Sequence, residues 1–223
     1  MDILISDDAD FDDETISSAI DLTVSLEIVT HSLPQKTQEY MSALLSKYLE
    51  EFGLADYYNK LNFCLSEILF NAVKANVKRI YFEERKLDID NNDDYAEGMK
   101  NFRTDTLSNK NYYFEKLRDS DLYVTLSLKI IDGKLIIEVR NNSVMNAIEA
   151  ERVKQKIASF HDFTSADMDS GIVDESEGAG LGISTILLTL RSFGLPGDHY
   201  KLYTTDKETI ARLIIEDEPL LEI

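Results

Sequence analysis

Leu122-Tyr123-Val124-Thr125-Leu126-Ser127-Leu128-Lys129-Ile130-Ile131-Asp132-Gly133-Lys134-Leu135-Ile136-Ile137-Glu138-Val139 is the stretch that decides the fold class. Leu122, Val124, Leu126, Leu128 and Ile130 alternate with their neighbours, and Leu135, Ile137 and Val139 alternate back. A period of two puts one apolar face on each strand, and Asp-Gly tolerates the positive φ angles of a two-residue turn. The stretch predicts an antiparallel hairpin with one face in the core, ended by Asn141-Asn142-Ser143.

Downstream, residues 144–160 read as helix and residues 161–177 as an acidic loop containing Gly and Ser. Gly178-Ala179-Gly180-Leu181-Gly182-Ile183 then opens onto a helix after Gly182, with an apolar stripe of Ile183, Ile186, Leu187 and Leu190. Residues 200–204 and 209–215 read as a closing hairpin around Thr205-Asp206-Lys207. Upstream, Leu22, Val24, Leu26 and Ile28 alternate as a strand does, until Leu33-Pro34 breaks the pattern. A helix follows on Tyr40, Met41, Leu44, Leu45, Tyr48 and Leu49, with Gly53 as its stop. A second helix carries Leu61, Leu65, Ile68, Leu69 and Ala72 as its stripe. Residues 84–120, with Asp88, Asp90, Asn91, Asn92, Asp93 and Asp94 as turn formers, read as an insertion with some helix near 112–117. This order predicts an α/β chain of the α+β two-layer type: a mixed, mostly antiparallel sheet with helices on one face.

The 223 residues suit one domain, with 43% apolar and 29% charged residues. A net charge of −19 argues against nucleic acid and against a basic membrane-binding patch, which leaves proteins and small molecules as partners. No apolar run reaches bilayer length, the N-terminus lacks the basic start of a signal peptide, and Cys64 is the single cysteine. A reducing cytoplasm is the expected setting, with Cys64 a core residue. Residues 1–21 carry Asp2, Asp7, Asp8, Asp10, Asp12, Asp13, Glu14 and Asp21 without Lys or Arg, and read as a solvated acidic tail before a domain over 22–223.

Two segments carry chemistry. Glu67, Asn71 and Lys74 stand at i, i+4 and i+7, one face of a helix, turned away from its apolar stripe. A solvated helix face would look similar, but Asn is a mediocre helix former amid good ones. In the glycine cluster, backbone N–H groups at a helix start can hold phosphate. It is not a Walker loop, since no Lys-Ser/Thr follows the last glycine, nor the dinucleotide fingerprint, whose third glycine comes one residue later. His31, His161 and His199 lack metal-ligand spacing.

Glu67…Asn71-Ala72…Lys74 resembles the asparagine box of the GHKL superfamily, and Gly178-Ala179-Gly180-Leu181-Gly182-Ile183 resembles its second glycine box. The superfamily includes histidine-kinase ATP-binding domains and anti-sigma serine kinases, and the layout from about residue 22 to 215 is most similar to the latter. The resemblance implies a histidine-kinase-like ATPase fold that binds ATP and Mg²⁺. It implies Asn71 as the Mg²⁺ ligand, Glu67 as the base that orients or deprotonates the attacking group, and Lys74 on the phosphates. It also implies Gly178, Gly180, Leu181 and Gly182 as the phosphate cradle, and residues 144–177 as a lid over the nucleotide. One box departs from the pattern. Asn141 stands where the family has the Asp that accepts from the adenine amino group, and Ser143 stands for its Gly. Asn141 keeps a carbonyl acceptor but loses the charge, so Asn141→Asp is expected to strengthen adenine binding.

The chain is therefore expected to be a Mg-ATP-dependent signalling protein, a protein kinase or ATPase acting on a protein partner, either a phosphoacceptor or a regulator. A homodimer fits the same expectation. Serine/threonine transfer is favoured over histidine autophosphorylation, because His31 sits at a strand end. The alternative is a degenerate, non-catalytic binding module. Its motives are Asn141 and the acidic residues of the lid, Asp162, Asp167, Asp169, Asp174, Glu175 and Glu177, which Arg152, Lys154 and Lys156 offset in part.

Overall fold

The hairpin forms as its alternation requires. β3 (Val124–Ile131) pairs antiparallel with β4 (Lys134–Asn141), and Asp132 and Gly133 turn between them at φ 50° and 69°. The computed structural model describes residues 3–6, 13–21, 23–161 and 180–216. Its sheet has six strands in the order β1-β2-β3-β4-β6-β5, with β1 (Ile3–Ser6), β2 (Leu26–Thr30), β5 (Tyr200–Thr204) and β6 (Thr209–Glu216) around the hairpin. β1 lies parallel to β2, and every other neighbouring pair is antiparallel. The sheet is thus mixed and mostly antiparallel.

Register puts the apolar positions on one face. Ile28 lies opposite Leu126, Leu126 opposite Val139, and Val139 opposite Ala211, all of them buried. The other face carries the ion pairs: Arg140 pairs with Glu27 and Glu138, and Arg212 with Glu138. Helices cover the apolar face. α2 (Gln35–Glu51) buries Met41, Leu44, Leu45, Tyr48 and Leu49, and Gly53, at φ 79°, turns the chain after it. α3 (Tyr58–Arg85) runs for 28 residues, about 42 Å at 1.5 Å per residue, and is buried along most of that length. α7 (Gly180–Ser192) buries Ile183, Ile186, Leu187 and Leu190. No helix among the described residues is long and apolar enough to cross a membrane.

Three expectations change. Within the supposed tail 1–21, Ile3–Ser6 joins the sheet and α1 (Asp13–Asp21) buries Ile16 and Ala19. The acid count hid an i, i+3, i+4 pattern at Ile16, Ala19 and Ile20. The first long strand begins at Leu26 rather than Leu22, because α1 runs to Asp21 and Thr23 then turns the chain at φ 56°. The insertion at 84–120 is a pair of helices, α4 (Asn92–Ser108) and α5 (Lys110–Arg118), clasped to the end of α3. Asn91 caps α4 by accepting from the backbone N–H groups of Asp93 and Asp94. Tyr95, Phe102 and Tyr113 pack around Tyr81 and Phe82 of α3, with Tyr81 edge-on to Phe102 at 5.1 Å. Gly98 permits the contact, since a Cβ there would lie 2.5 Å from the Phe82 ring.

Candidate functional site

A cavity of about 140 Å³ opens between α3, the β4–β6–β5 side of the sheet and α6 (Ala147–His161). Asn71, Lys74 and Lys78 reach it from α3, Asn141 from the end of β4, and Glu149, Arg152 and Lys156 from α6. Ile68, Val139, Ile183 and Leu202 are among its apolar walls. Four of its lining side chains are cationic and one is acidic, in a chain of net charge −19. That sign pattern favours an anionic ligand.

Three of the residues singled out from sequence, Asn71, Lys74 and Asn141, meet on this cavity. Glu67 lies one helical turn before Asn71, against the first turn of α7. A Cβ on Gly182 would fall 2.5 Å from Glu67 Oε2 and 3.4 Å from Asn71 Nδ2. Glycine leaves the Glu67 carboxylate where it is, and the position gives that carboxylate the favourable end of the α7 dipole. The two segments that suggested chemistry from far apart in sequence are in contact. Gly180 begins α7, ahead of the start after Gly182 expected from sequence, and Leu181 follows it within the helix. Gly178 lies outside the described residues, as does the expected lid from 162 onward. The rest of that lid is the short connection 144–146 and α6.

Asn141 is 3% exposed and sits in a directed network. Tyr123 O can only accept, and Asn76 Nδ2 donates to it at 3.1 Å. Asn76 Oδ1 therefore faces the other way, where it accepts from Ser143 Oγ at 2.8 Å and from Asn141 Nδ2 at 3.3 Å. Asn141 Nδ2 also donates to Ser143 Oγ at 2.7 Å and to Ser143 O at 3.2 Å. With the Nδ2 end so engaged, Oδ1 is the end of Asn141 left for the cavity it lines.

A second network roots α6. Asn146 and Glu149 form a reciprocal cap: Asn146 N donates to Glu149 Oε2 at 3.1 Å, and Glu149 N donates to Asn146 Oδ1 at 2.8 Å. Lys78 reaches Glu149 at 2.9 Å and Arg79 reaches it at 2.6 Å. Burial works against the charged form of Glu149, but the Arg79 hydrogen bonds and the Lys78 and Arg79 charges outweigh it and hold the carboxyl down at about 2. Tyr95 of the insertion accepts from Lys78 at 3.1 Å, and its ring lies 5.1 Å from the Arg152 guanidinium. Lys154, grouped with Arg152 and Lys156 in sequence, is exposed and not on the cavity.

Asn76, Lys78 and Glu149 were not singled out from sequence. Signals existed for two of them. Asn76 is a poor helix former in the middle of α3, and Asn146-x-x-Glu149 has the spacing of a capping box. Burial of Lys78 had none.

No family model matches the chain. It is similar to an uncharacterized protein of Treponema pallidum (strain Nichols), 36% identical over 205 residues. That alignment takes in 92% of this chain, and the chain spans 40% of the length of that relative.

Proposed function

We propose that this cavity binds an adenine nucleotide with Mg²⁺, and that the chain is a protein kinase or ATPase of the histidine-kinase-like kind acting on a protein partner. The observation that carries the reading is the convergence of Asn71, Lys74 and Asn141 on one cation-lined cavity, with Glu67 held against the glycine start of α7. The residues fit the ligand. The enclosed space is comparable to cavities of roughly 150 Å³ that take a flat ring, and Asn141 Oδ1 offers an acceptor to an exocyclic amine. Among the described residues no three His, Cys, Asp or Glu side chains cluster to hold a metal. Mg²⁺ would rest on Asn71, a hard oxygen ligand, and on the ligand's own phosphates.

When bound, the metal ion would offset phosphate charge as the phosphoryl group departs. Lys74 would take up further phosphate charge, and Glu67 would accept the proton of the attacking hydroxyl or water. A protein acceptor finds apolar footing beside Glu67: Phe63 and Phe70, at i−4 and i+3 on the same helix, are 47% and 43% exposed. Serine or threonine is the favoured acceptor.

Calorimetric titration with Mg-ATP tests the reading. Heat of binding is expected, and none at millimolar nucleotide would sink it. In Asn71→Ala, nucleotide affinity should no longer respond to Mg²⁺. The second reading is a non-catalytic binding module, favoured by the neutral Asn141 in place of a carboxylate. Glu67→Gln separates the two: it abolishes turnover of ATP under the first and leaves behaviour unchanged under the second.

A further inference from the structure

We propose that Asn76 sets which base this site accepts, by fixing the direction of the Asn141 amide from outside the ligand cavity. The inference rests on the nucleotide reading above and concerns the recognition of the base.

An asparagine amide is nearly symmetric in shape and opposite in polarity at its two ends. Unconstrained, Asn141 could turn either end to the cavity, accepting from an amino group or donating to an oxo group. The surrounding network removes that freedom, and the direction originates at a backbone carbonyl. Tyr123 O, which also takes the Asn142 N–H at 3.3 Å, can only accept, so Asn76 presents Nδ2 to it and Oδ1 to Asn141 and Ser143. Asn141 must answer with Nδ2, which two further acceptors on Ser143 reinforce. Asn76 is fully buried and is not among the residues that line the cavity. Turning Asn141 over would set its Oδ1 against the oxygens of Asn76 and Ser143, acceptor against acceptor, and would strip Nδ2 of all three of its partners. Asn76 is thus a positioning residue, and polarity is what it positions.

A base carrying an amino group meets an acceptor at Asn141, and a base carrying an oxo group there meets a repelling oxygen. Adenosine and inosine triphosphates differ in this substituent and carry the same phosphates, so their affinity ratio isolates the effect. With Mg²⁺ present, the wild-type protein is expected to bind ATP at least about tenfold more tightly than ITP, the scale of discrimination when a site's buried polar group is left unpaired. Asn76→Leu combined with Ser143→Ala removes both side-chain acceptors and leaves only Ser143 O, which Thr209 Oγ1 already satisfies, so the Asn141 amide can turn. The ratio should then fall toward one, with ITP binding improved as well as ATP binding weakened. A purely structural role would weaken both nucleotides and leave the ratio in place. Asn76→Asp, protonated in this buried setting, can still donate to Tyr123 O and accept from Asn141, and should keep the wild-type ratio. Should the double variant not fold, Asn76→Ala alone removes the directing oxygen without adding bulk and should give an intermediate ratio. Equal binding of ATP and ITP by the wild type, or an unchanged ratio in the folded double variant or in folded Asn76→Ala, overturns this inference and leaves the nucleotide reading standing. Absence of binding by both nucleotides overturns the nucleotide reading, and this inference with it.

Discussion

Replacing Asn141 by Asp would put a second carboxylate oxygen where Nδ2 now donates, facing Ser143 O and Asn76 Oδ1. The sequence alone led to the opposite expectation, a gain in adenine binding from restored charge, because it gave no sign of what lay behind the amide. Asn141→Asp should instead lower stability by about 1–3 kcal/mol, the cost of mismatched buried polar groups, without tightening ATP binding. Urea unfolding together with nucleotide titration checks both halves of that statement. At Gly182 the two effects of a substitution separate. Alanine is the better helix former by about 1 kcal/mol, but its Cβ would displace the Glu67 carboxylate, the movable end of a flexible side chain. Gly182→Ala should therefore keep or raise the melting temperature while turnover of ATP falls toward that of Glu67→Gln. A variant with wild-type turnover would remove Glu67 from the chemistry or free its carboxylate from this spot.

Among the elements, α6 depends most on charge. Its first turn is pinned to α3 through Glu149, whose carboxyl is held at about 2, below the ordinary value of 4.5. A folded value below the unfolded one means that the folded state binds fewer protons between the two. The resulting stability is fully present above about pH 4.5 and is lost as pH falls toward about 2. Glu149→Gln leaves Lys78 and Arg79 without their partner, a loss on the order of 3 kcal/mol at neutral pH. The gap between wild type and variant, read from denaturant midpoints, should be widest above pH 5 and narrow steadily in acid. A gap independent of pH would show that packing of α6, not the charge of Glu149, fixes it. Tyr95 brings the insertion into the same arrangement through Lys78 and Arg152. From sequence the insertion had been read as turns and a little helix. Tyr95, Met99 and Phe102 do stand at i, i+4 and i+7, but the run of turn formers at 88–94 just before them and the charged residues around them hid that spacing.

For the whole molecule, the parts legible in sequence were those with a strict period and punctuation: the β3–β4 hairpin, the closing hairpin and the stripes of α2, α3 and α7. Their positions follow from side-chain alternation, which is local. Contacts between distant segments were legible only as motifs. Glu67 beside Gly182 had a hint in the residue types, while the Tyr123–Asn76–Asn141 direction had none, because it depends on which buried carbonyl faces which amide. α3 ties these contacts together, gripped by the sheet, α7 and the insertion in turn. A helix held on so many sides has no partial opening that spares the rest of the molecule. Its central amides should exchange with deuterium only when the entire chain opens, at the free energy of global unfolding, while those of α5 and the polar strand ends exchange by smaller fluctuations. Bound nucleotide on Asn71 and Lys74 should then slow exchange along all of α3, including the turns near Tyr81 and Phe82 that lie well beyond the cavity, by the same factor as it raises global stability.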